Sequence, residues 1–255
     1  MRIWARAALV GALLVLIGSV VVAQQLASIW SFDARQQDGA ERVASAYRDR
    51  RPELAERMSR AGVAWPPRRV LLRAIKDEHV VELWASDRAR GPLHHVHDYD
   101  ICRASGGPGP KRRRGDHQVP EGFYEIDRFH PQSRHFLALG VSYPNARDRQ
   151  LAGGDPGGDI FIHGGCGSVG CLAMGDAQMR ELYVAADAAR RAGQAHIPVH
   201  VFPTRMGGSS WRALARAHPE HATFWGDLAE GWRRFDRTHE PEAPRVDARG
   251  RYRFR

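Results

Sequence analysis

The sequence predicts an α+β fold, mainly β, with helices flanking a β-rich core. Three observations predict it: short runs of branched and aromatic residues bounded by Gly and Pro, one amphipathic helical stretch over 176–191, and a glycine-rich segment leading into that helix. The 255 residues are 43% apolar and 26% charged, an ordinary globular composition. That composition excludes a disordered chain, a collagen-like repeat, a multi-span membrane protein and a disulfide-dense miniprotein.

Arg2 and Arg6 precede an uncharged stretch, Ala7 to Ala23, dominated by Ala, Leu, Val and Ile. This reads as an export signal over 1–23, with cleavage before Gln24 allowed by Val21-Val22-Ala23, or as an uncleaved N-terminal membrane anchor. Either places the rest of the chain outside the cytoplasm, and no Cys follows the run for lipid attachment. Residues 24–67 are expected to form a helical arm, since Val43, Ala46, Tyr47, Leu54 and Met58 sit near helical spacing. Trp65-Pro66-Pro67 ends it. A core domain is expected over 68–203, and a helical extension with a basic tail over 204–255.

Within the core, Val70 to Ile75 and Val80 to Trp84 read as a hairpin turning at Lys76-Asp77-Glu78-His79. Leu93 to Ile101, Phe123 to Ile126, Arg134 to Tyr143, Asp159 to His163 and Ile197 to Phe202 are further strands, the last with Pro198 at an edge or a strand start. Gly106 to Gly115, holding Lys111, Arg112, Arg113 and Arg114, reads as a solvated loop. In the helix from Asp176 to Arg191, Asp176 is the expected N-cap, Gly193 stands past the end, and Met179, Leu182, Tyr183 and Ala186 form the core stripe. A second helix is expected where Phe224, Leu228, Trp232 and Phe235 share a face.

The formal net charge of +9 points to an anionic partner. Nucleic acid is disfavoured by the export signal and by the lack of interleaved aromatic and basic residues. An envelope polymer or a membrane surface fits better.

The chemistry concentrates in Gly153 to Asp176. His163 ends a strand, and Cys171 follows eight residues later across a loop containing Gly164, Gly165, Gly167 and Gly170, which permit the fold-back that would bring the two together. A thiol next to an imidazole is a nucleophile and its base. Backbone N–H groups near Gly170 and Cys171 could face an oxyanion. Three other readings apply to the same residues. His163, Cys166 and Cys171 could ligate zinc, although their spacing is irregular and a fourth ligand is missing. Two of the three cysteines could pair in an oxidising compartment, Cys102 with Cys166 being the pair that spares Cys171. A phosphate cradle is disfavoured by the lack of a GxxxxGK[ST] pattern. The expectation is no cofactor and no metal.

His163 followed by Ser168-Val169-Gly170-Cys171 resembles the His and Ser/Thr-x-Gly-Cys signature of the L,D-transpeptidases of the bacterial cell wall, with their YkuD-type catalytic domain. Gly115-Asp116-His117-Gln118-Val119-Pro120-Glu121-Gly122-Phe123-Tyr124 is similar to the family's G-D-x-x-T-P-x-G-x-F/Y strand entry, with Val119 for Thr. Ser142 to Asp148 and the run IFIHGGCGSVGCLAM resemble the YafK branch. The likeness spans about Val70 to Phe202. Two departures stand out: the spacer between His163 and Ser168 is short, and Ala173 occupies a position where the classical enzymes carry Arg or Asn. Arg134, Arg147 and Arg149 are candidates for the lost carboxylate contact.

The resemblance implies a cysteine acyltransferase acting on peptidoglycan stem peptides, in which Cys171 forms a thioester and His163 is base and then acid. It implies backbone oxyanion donors at Gly170 and Cys171, and orientation of His163 by the Gly164 carbonyl. Ser168 is expected to shape the loop, and Tyr143, Asn145 and Asp148 to line the cleft, although Tyr-Pro-Asn is equally a turn. The alternatives are an amidase of the same fold that frees an envelope lipoprotein from peptidoglycan, and a non-catalytic peptidoglycan-binding module.

Overall fold

An eight-stranded curled sheet, in the order β3-β2-β1-β8-β4-β5-β6-β7, organises the computed structural model, which describes Gln24 and residues 38–255. The export signal or anchor of 1–23 lies outside the described residues. Contacts divide the chain into two units, Met1–Glu41 and Arg42–Arg255; in the first, residues 38–41 are helical, and everything below concerns the second.

β1 (Arg69–Ile75) and β2 (Val80–Ser86) form the expected hairpin, and β3 (His94–Asp100) extends it at the sheet edge. β4 (Gly122–Ser133), β5 (Phe136–Val141) and β6 (Phe161–His163) follow as antiparallel neighbours, and β7 (Leu172–Ala173) runs parallel to β6. β8 (Pro198–Phe202) inserts between β1 and β4, parallel to the first and antiparallel to the second. Pro198 is therefore a strand start in the middle of the sheet, not an edge residue.

Strand alternation gives the sheet two different faces. On the first, Val70, Leu72, Ala74, Tyr124, Leu137, Leu139, Ile162 and Val199 join one apolar core. Against it pack α1 (42–60), through Ala46, Leu54 and Met58, and α3 (Asp176–Arg191), through Met179, Leu182, Tyr183 and Ala186. Each fully buried Leu or Met contributes about 1.5–3 kcal/mol relative to exposure. The arm is also tied to α3 by charge and hydrogen bonds: Arg180 to Asp49 at 2.9 Å, and the Tyr47 hydroxyl donating to Asp187 at 3.0 Å. From Arg42 onward the arm thus shares one core with the strands, and its helix stops at Arg60, where Gly62 turns through φ +76° and Val63 N–H donates to the Met58 carbonyl, before Pro66 and Pro67 are reached.

The second face carries Leu71, Arg73, Ile75, Glu82, Trp84, Phe123, His200 and Phe202 by register. α4 (Ser210–Ala217) and α5 (Ala222–Thr238) cover much of it, with Trp225, Leu228, Trp232 and Phe235 buried. The basic tail is not loose: β9 (Arg245–Val246) and β10 (Tyr252–Arg253) pair, Arg251 grips Asp227 through both carboxylate oxygens, and Tyr252 is buried.

Two local expectations are corrected. Gly175, at φ +71°, is the N-cap of α3, so Asp176 is the first helical residue and its carboxylate is free to act elsewhere. The 106–115 segment is a loop, but its middle is not solvated. Asp116 gathers it by accepting from Lys111 Nζ at 2.6 Å and from the backbone N–H groups of Arg112, Arg113 and Gln118. Lys111 is buried, and these donors hold the Asp116 carboxyl down at about 2. No helix among the described residues is long and apolar enough to cross a membrane.

Candidate active site

The sheet register places the two chemical groups. Leu139 pairs with Ile162, and Ile162 with Leu172, all turned into the apolar core. His163 and its partners Ala138 and Ala173 therefore belong to the opposite face, and Cys171, two residues before Ala173, falls on it too. The Phe161 N–H reaches Cys171 Sγ at 3.4 Å, and the thiol faces the Asp159 carbonyl at 3.7 Å. The strand β6 begins only after Asp159 turns through φ +54°, which shortens the expected Asp159–His163 strand.

Each group is held by backbone. Nδ1 of His163 lies 2.6 Å from the Gly164 carbonyl, which only accepts, so the proton sits on Nδ1 and Nε2 carries the lone pair. Nε2 has no hydrogen-bond partner among the described residues. Burial lowers the imidazole pKa, the Gly164 carbonyl opposes that shift, and His135 adds to it with its ring 4.6 Å away. His135 comes from the β4–β5 turn, and nothing in the sequence marked it. Burial raises the Cys171 thiol above its ordinary value, opposed by the Phe161 N–H. Both groups are therefore neutral at rest near pH 7.

The glycine loop is clamped at both ends. Asp176 Oδ1 accepts from the Gly165 N–H at 2.7 Å, and a Cβ at Gly164 would lie 2.6 Å from that oxygen and 2.7 Å from the His135 carbonyl. Glycine is required there by space and at Gly170 by φ +88°. Cys102 and Cys166 form a disulfide, Cα atoms 5.5 Å apart, leaving Cys171 as the free cysteine. With Cys166 spent in that bond, His163, Cys166 and Cys171 do not constitute a zinc ligand set. Arg103 continues the tie by exchanging two backbone hydrogen bonds with Ala173, at 3.2 and 3.0 Å.

The backbone donors expected to face an oxyanion are not free. Gly170 N–H donates to the Ser105 hydroxyl at 2.6 Å, and Cys171 N–H to the Ser168 hydroxyl at 3.1 Å. Ser168 donates onward to the Cys171 carbonyl at 2.6 Å, which makes it a brace of the turn. Ser105 donates to the His117 carbonyl at 2.8 Å.

The remaining expected cleft residues are structural supports. Asn145 caps α2 (Ala146–Leu151) in a reciprocal box with Asp148 and donates to the Tyr252 hydroxyl at 2.8 Å. Asp148 is buried and accepts from the Tyr124 hydroxyl, and Tyr143 donates to the Pro156 carbonyl. None of the three hydrogen-bonds to Cys171 or His163. Tyr143 and Asn145 do line a groove of about 920 Å³ with Phe123, His200 and Arg149, but neither Cys171 nor His163 is among its lining residues. Of the three arginine candidates, Arg149 alone lines that groove; Arg147 is buried with its guanidinium 3.7 Å from the centre of the Phe224 ring, and Arg134 is exposed.

A profile of the L,D-transpeptidase catalytic domain, YkuD, matches residues 74–201. A protein of Escherichia coli K12, provisionally named L,D-transpeptidase YafK, is 34% identical over 186 residues, 72% of each chain. Among solved structures, the helical cell shape determining protein Pgp2 of Campylobacter jejuni overlaps with a TM-score of 0.42 at 22% identity, over 53% of this chain and 48% of that one. L,D-transpeptidase 1 of Mycobacterium tuberculosis overlaps with a TM-score of 0.26 at 13% identity, over 52% and 61%. The chain thus spans about half the length of Pgp2. The matched profile and the identity to the Escherichia coli protein establish that this chain belongs to the YkuD family of L,D-transpeptidases.

Proposed function

We propose that the protein is a cell-wall cysteine acyltransferase, an L,D-transpeptidase acting on peptidoglycan stem peptides through a thioester on Cys171. One observation carries this reading: the free thiol shares a sheet face with an imidazole whose Nδ1–H is fixed on a carbonyl, which makes Nε2 the base. In the reaction Nε2 of His163 takes the thiol proton as Sγ attacks the stem-peptide carbonyl carbon. The tetrahedral intermediate collapses by expelling the leaving amine, which takes that proton back from His163. A second amine then attacks the thioester and releases Cys171 in transpeptidation. Water in its place gives hydrolysis, the outcome of an amidase. The leader of 1–23 supports an exported enzyme working where peptidoglycan lies.

The neutral resting pair sets a pH signature. With the thiol pKa raised and the imidazole pKa lowered, the thiolate fraction grows only as the pH rises past the ordinary cysteine range. Alkylation of Cys171 by iodoacetamide should therefore still be accelerating at pH 9, and a plateau already reached at pH 6 would contradict the neutral pair. The functional test is mass spectrometry of defined muropeptides, with and without an attached lysine peptide, after incubation with the protein and with a Cys171→Ala control. Crosslinked or exchanged products that vanish in the variant support transpeptidation. Loss of the attached peptide without a new bond assigns hydrolysis. No turnover by the wild-type protein would refute both.

A further inference from the structure

Arg128 stands at one end of a cross-strand row whose other end is the thiol. It pairs with Gly140, and Gly140 pairs with Phe161. Phe161 precedes Ile162 just as Cys171 precedes the parallel partner of Ile162, Leu172, so Cys171 continues the row. All four share the face opposite the apolar core, because their chain neighbours Phe129, Leu139, Ile162 and Leu172 turn into that core. Gly140 opens the way along the row. A Cβ there would stand 2.5 Å from Arg128 Cγ and 2.8 Å from its Nε, so the side chain crosses β5 over the glycine. Its guanidinium carbon then lies 4.8 Å from the centre of the Phe161 ring, and Nη2 donates to Asp159 Oδ1 at 3.1 Å. Those two partners are the residues whose main chain flanks the sulfur, Phe161 through its N–H at 3.4 Å and Asp159 through its carbonyl at 3.7 Å.

The groups around the sulfur act in opposite directions. Burial works most strongly against ionisation of the thiol and the Asp159 charge adds to it, whereas the Phe161 N–H and the Lys111 charge favour the thiolate. Lys111 is itself bonded to Asp116 at 2.6 Å, and Asp127 stands 3.5 Å from Arg128 Nε. His163 is neutral at rest, with the His135 ring against it. Among these groups Arg128 is the cation bonded to the one carboxylate that opposes the thiolate, and that bond is the only one the Asp159 side chain makes among the described residues.

We propose that Arg128 prepares the nucleophile through Asp159: seated on the Phe161 ring, it cancels the carboxylate of the residue whose carbonyl the thiol faces, so that His163 can take the thiol proton without an uncompensated negative charge beside the sulfur. Arg128 is a positioning residue, since it touches no reacting atom and acts through Asp159. What the activated thiol then does rests on the acyl-transfer reading above, but the effect on the thiol itself is measurable without a substrate. Arg128 is 47% and Asp159 77% exposed, so water screens the coupling and the effect is several-fold.

The test follows alkylation of Cys171 by iodoacetamide across pH, with turnover of a defined tetrapeptide muropeptide alongside. It compares wild type, Arg128→Lys, Arg128→Gln, Asp159→Asn and the double variant Arg128→Gln with Asp159→Asn. Arg128→Gln uncovers the Asp159 charge, so alkylation below the plateau should slow by about three-fold, a rise of roughly half a pH unit in the midpoint. Its high-pH plateau should stay within about 1.5-fold of wild type, because the thiolate once formed is equally reactive. Its kcat should fall by a similar factor of about three, with KM unchanged. Arg128→Lys keeps the charge and should match wild type, and Asp159→Asn should alkylate faster. The double variant removes both charges and should return to the wild-type rate, a rescue that a merely structural role of Arg128 would not give. A double variant as slow as Arg128→Gln would overturn the proposal, as would a plateau that falls in parallel, which would mean a displaced thiol. A raised KM with unchanged alkylation would also overturn it, by making Arg128 a substrate contact. Wild type that alkylates with this pattern and turns nothing over refutes the acyl-transfer reading alone, whereas wild-type turnover with unchanged alkylation in Arg128→Gln refutes this proposal alone.

Discussion

The two faces of the sheet are stabilised by different means. Beneath α1 and α3 the strands contribute mainly aliphatic and aromatic side chains, and the buried charges of that side, Glu181 and Asp187, come from α3, where they accept from the Tyr99 and Tyr47 hydroxyls. Beneath α5 the strands bury ion pairs. Arg73 is 4% exposed, bonds Glu82 at 2.6 Å and lies 3.9 Å from the centre of the Trp232 ring. Lys76 bonds Glu121 at 2.9 Å and two carbonyls, while Glu121 also takes Gly109 N–H and the Trp225 indole N–H. The apolar face supplies bulk stability. The polar face fixes positions: Glu121 lies between the Gln118 segment, β4 and α5, so the same carboxylate that satisfies Lys76 also sets where the active-site segment leaves the core.

The largest effect should come from the disulfide that ties the segment after β3 to the loop before Cys171. In the chain-entropy account, closing a loop with a sequence separation of 64 stabilises the fold by roughly 4 kcal/mol. Cys102→Ser with Cys166→Ser should lower the unfolding free energy by about that amount in urea titration; a change under about 1 kcal/mol would mean the hydrogen bonds of Arg103 and Ser105 suffice. Next, Glu121→Leu strands a buried Lys76 and should cost about 3–4 kcal/mol, whereas Leu139→Ala on the other face should cost about 3 kcal/mol through its cavity. The two should differ in function. Glu121→Leu should slow Cys171 alkylation at equal folded fraction, and Leu139→Ala should not; equal behaviour would remove the distinction between the faces.

The pH dependence sharpens the same contrast. His200 is buried among Phe123, Phe202 and Arg73, and desolvation, with the Arg73 charge adding, lowers its pKa to about 3. Its folded pKa lies below its unfolded value near 6.5, so the unfolded chain binds the extra proton first. Its contribution to stability is whole above pH 6.5 and declines as the pH falls toward 3, by at most about 1.4 kcal/mol per pH unit. His200→Phe should flatten the denaturation midpoint between pH 6 and 4, and an unchanged slope would contradict this. Smallest is Asp176→Asn, which keeps an acceptor for Gly165 N–H but gives up its charge; about 1 kcal/mol is expected by thermal unfolding. A loss above about 3 kcal/mol would mean that the clamp carries more of the loop than one hydrogen bond.

Legibility followed the same division. Periodic apolar residues disclosed β1, β2, β8 and α3 nearly to their ends, and the buried face of α5, because they recur against one or the other packed face of the sheet. Two-residue strands such as β7, β9 and β10 have no period to read, and α2 is a single capped turn and a half. The proposed nucleophile and base, Cys171 and His163, were legible through the strand end at His163 and the glycines before Cys171. His135 and Ser105 were not, because each arrives from a remote hairpin or segment whose approach is set by the disulfide and by backbone pairing, not by a local pattern. Asp176 was misassigned for a related reason: a carboxylate at a helix start satisfies the capping rule, yet the glycine before it caps the helix and frees that carboxylate for the loop.

The central claim is a covalent one, and the most direct measurement is intact-protein mass spectrometry of the enzyme after brief exposure to a tetrapeptide muropeptide, followed by peptide mapping. The expected result is a mass increase equal to the substrate less its leaving amine, located on Cys171, labile to hydroxylamine, and accumulating in wild type while His163→Ala and Cys171→Ala do not form it. Turnover without an adduct on Cys171, or an adduct that survives Cys171→Ala, would contradict it.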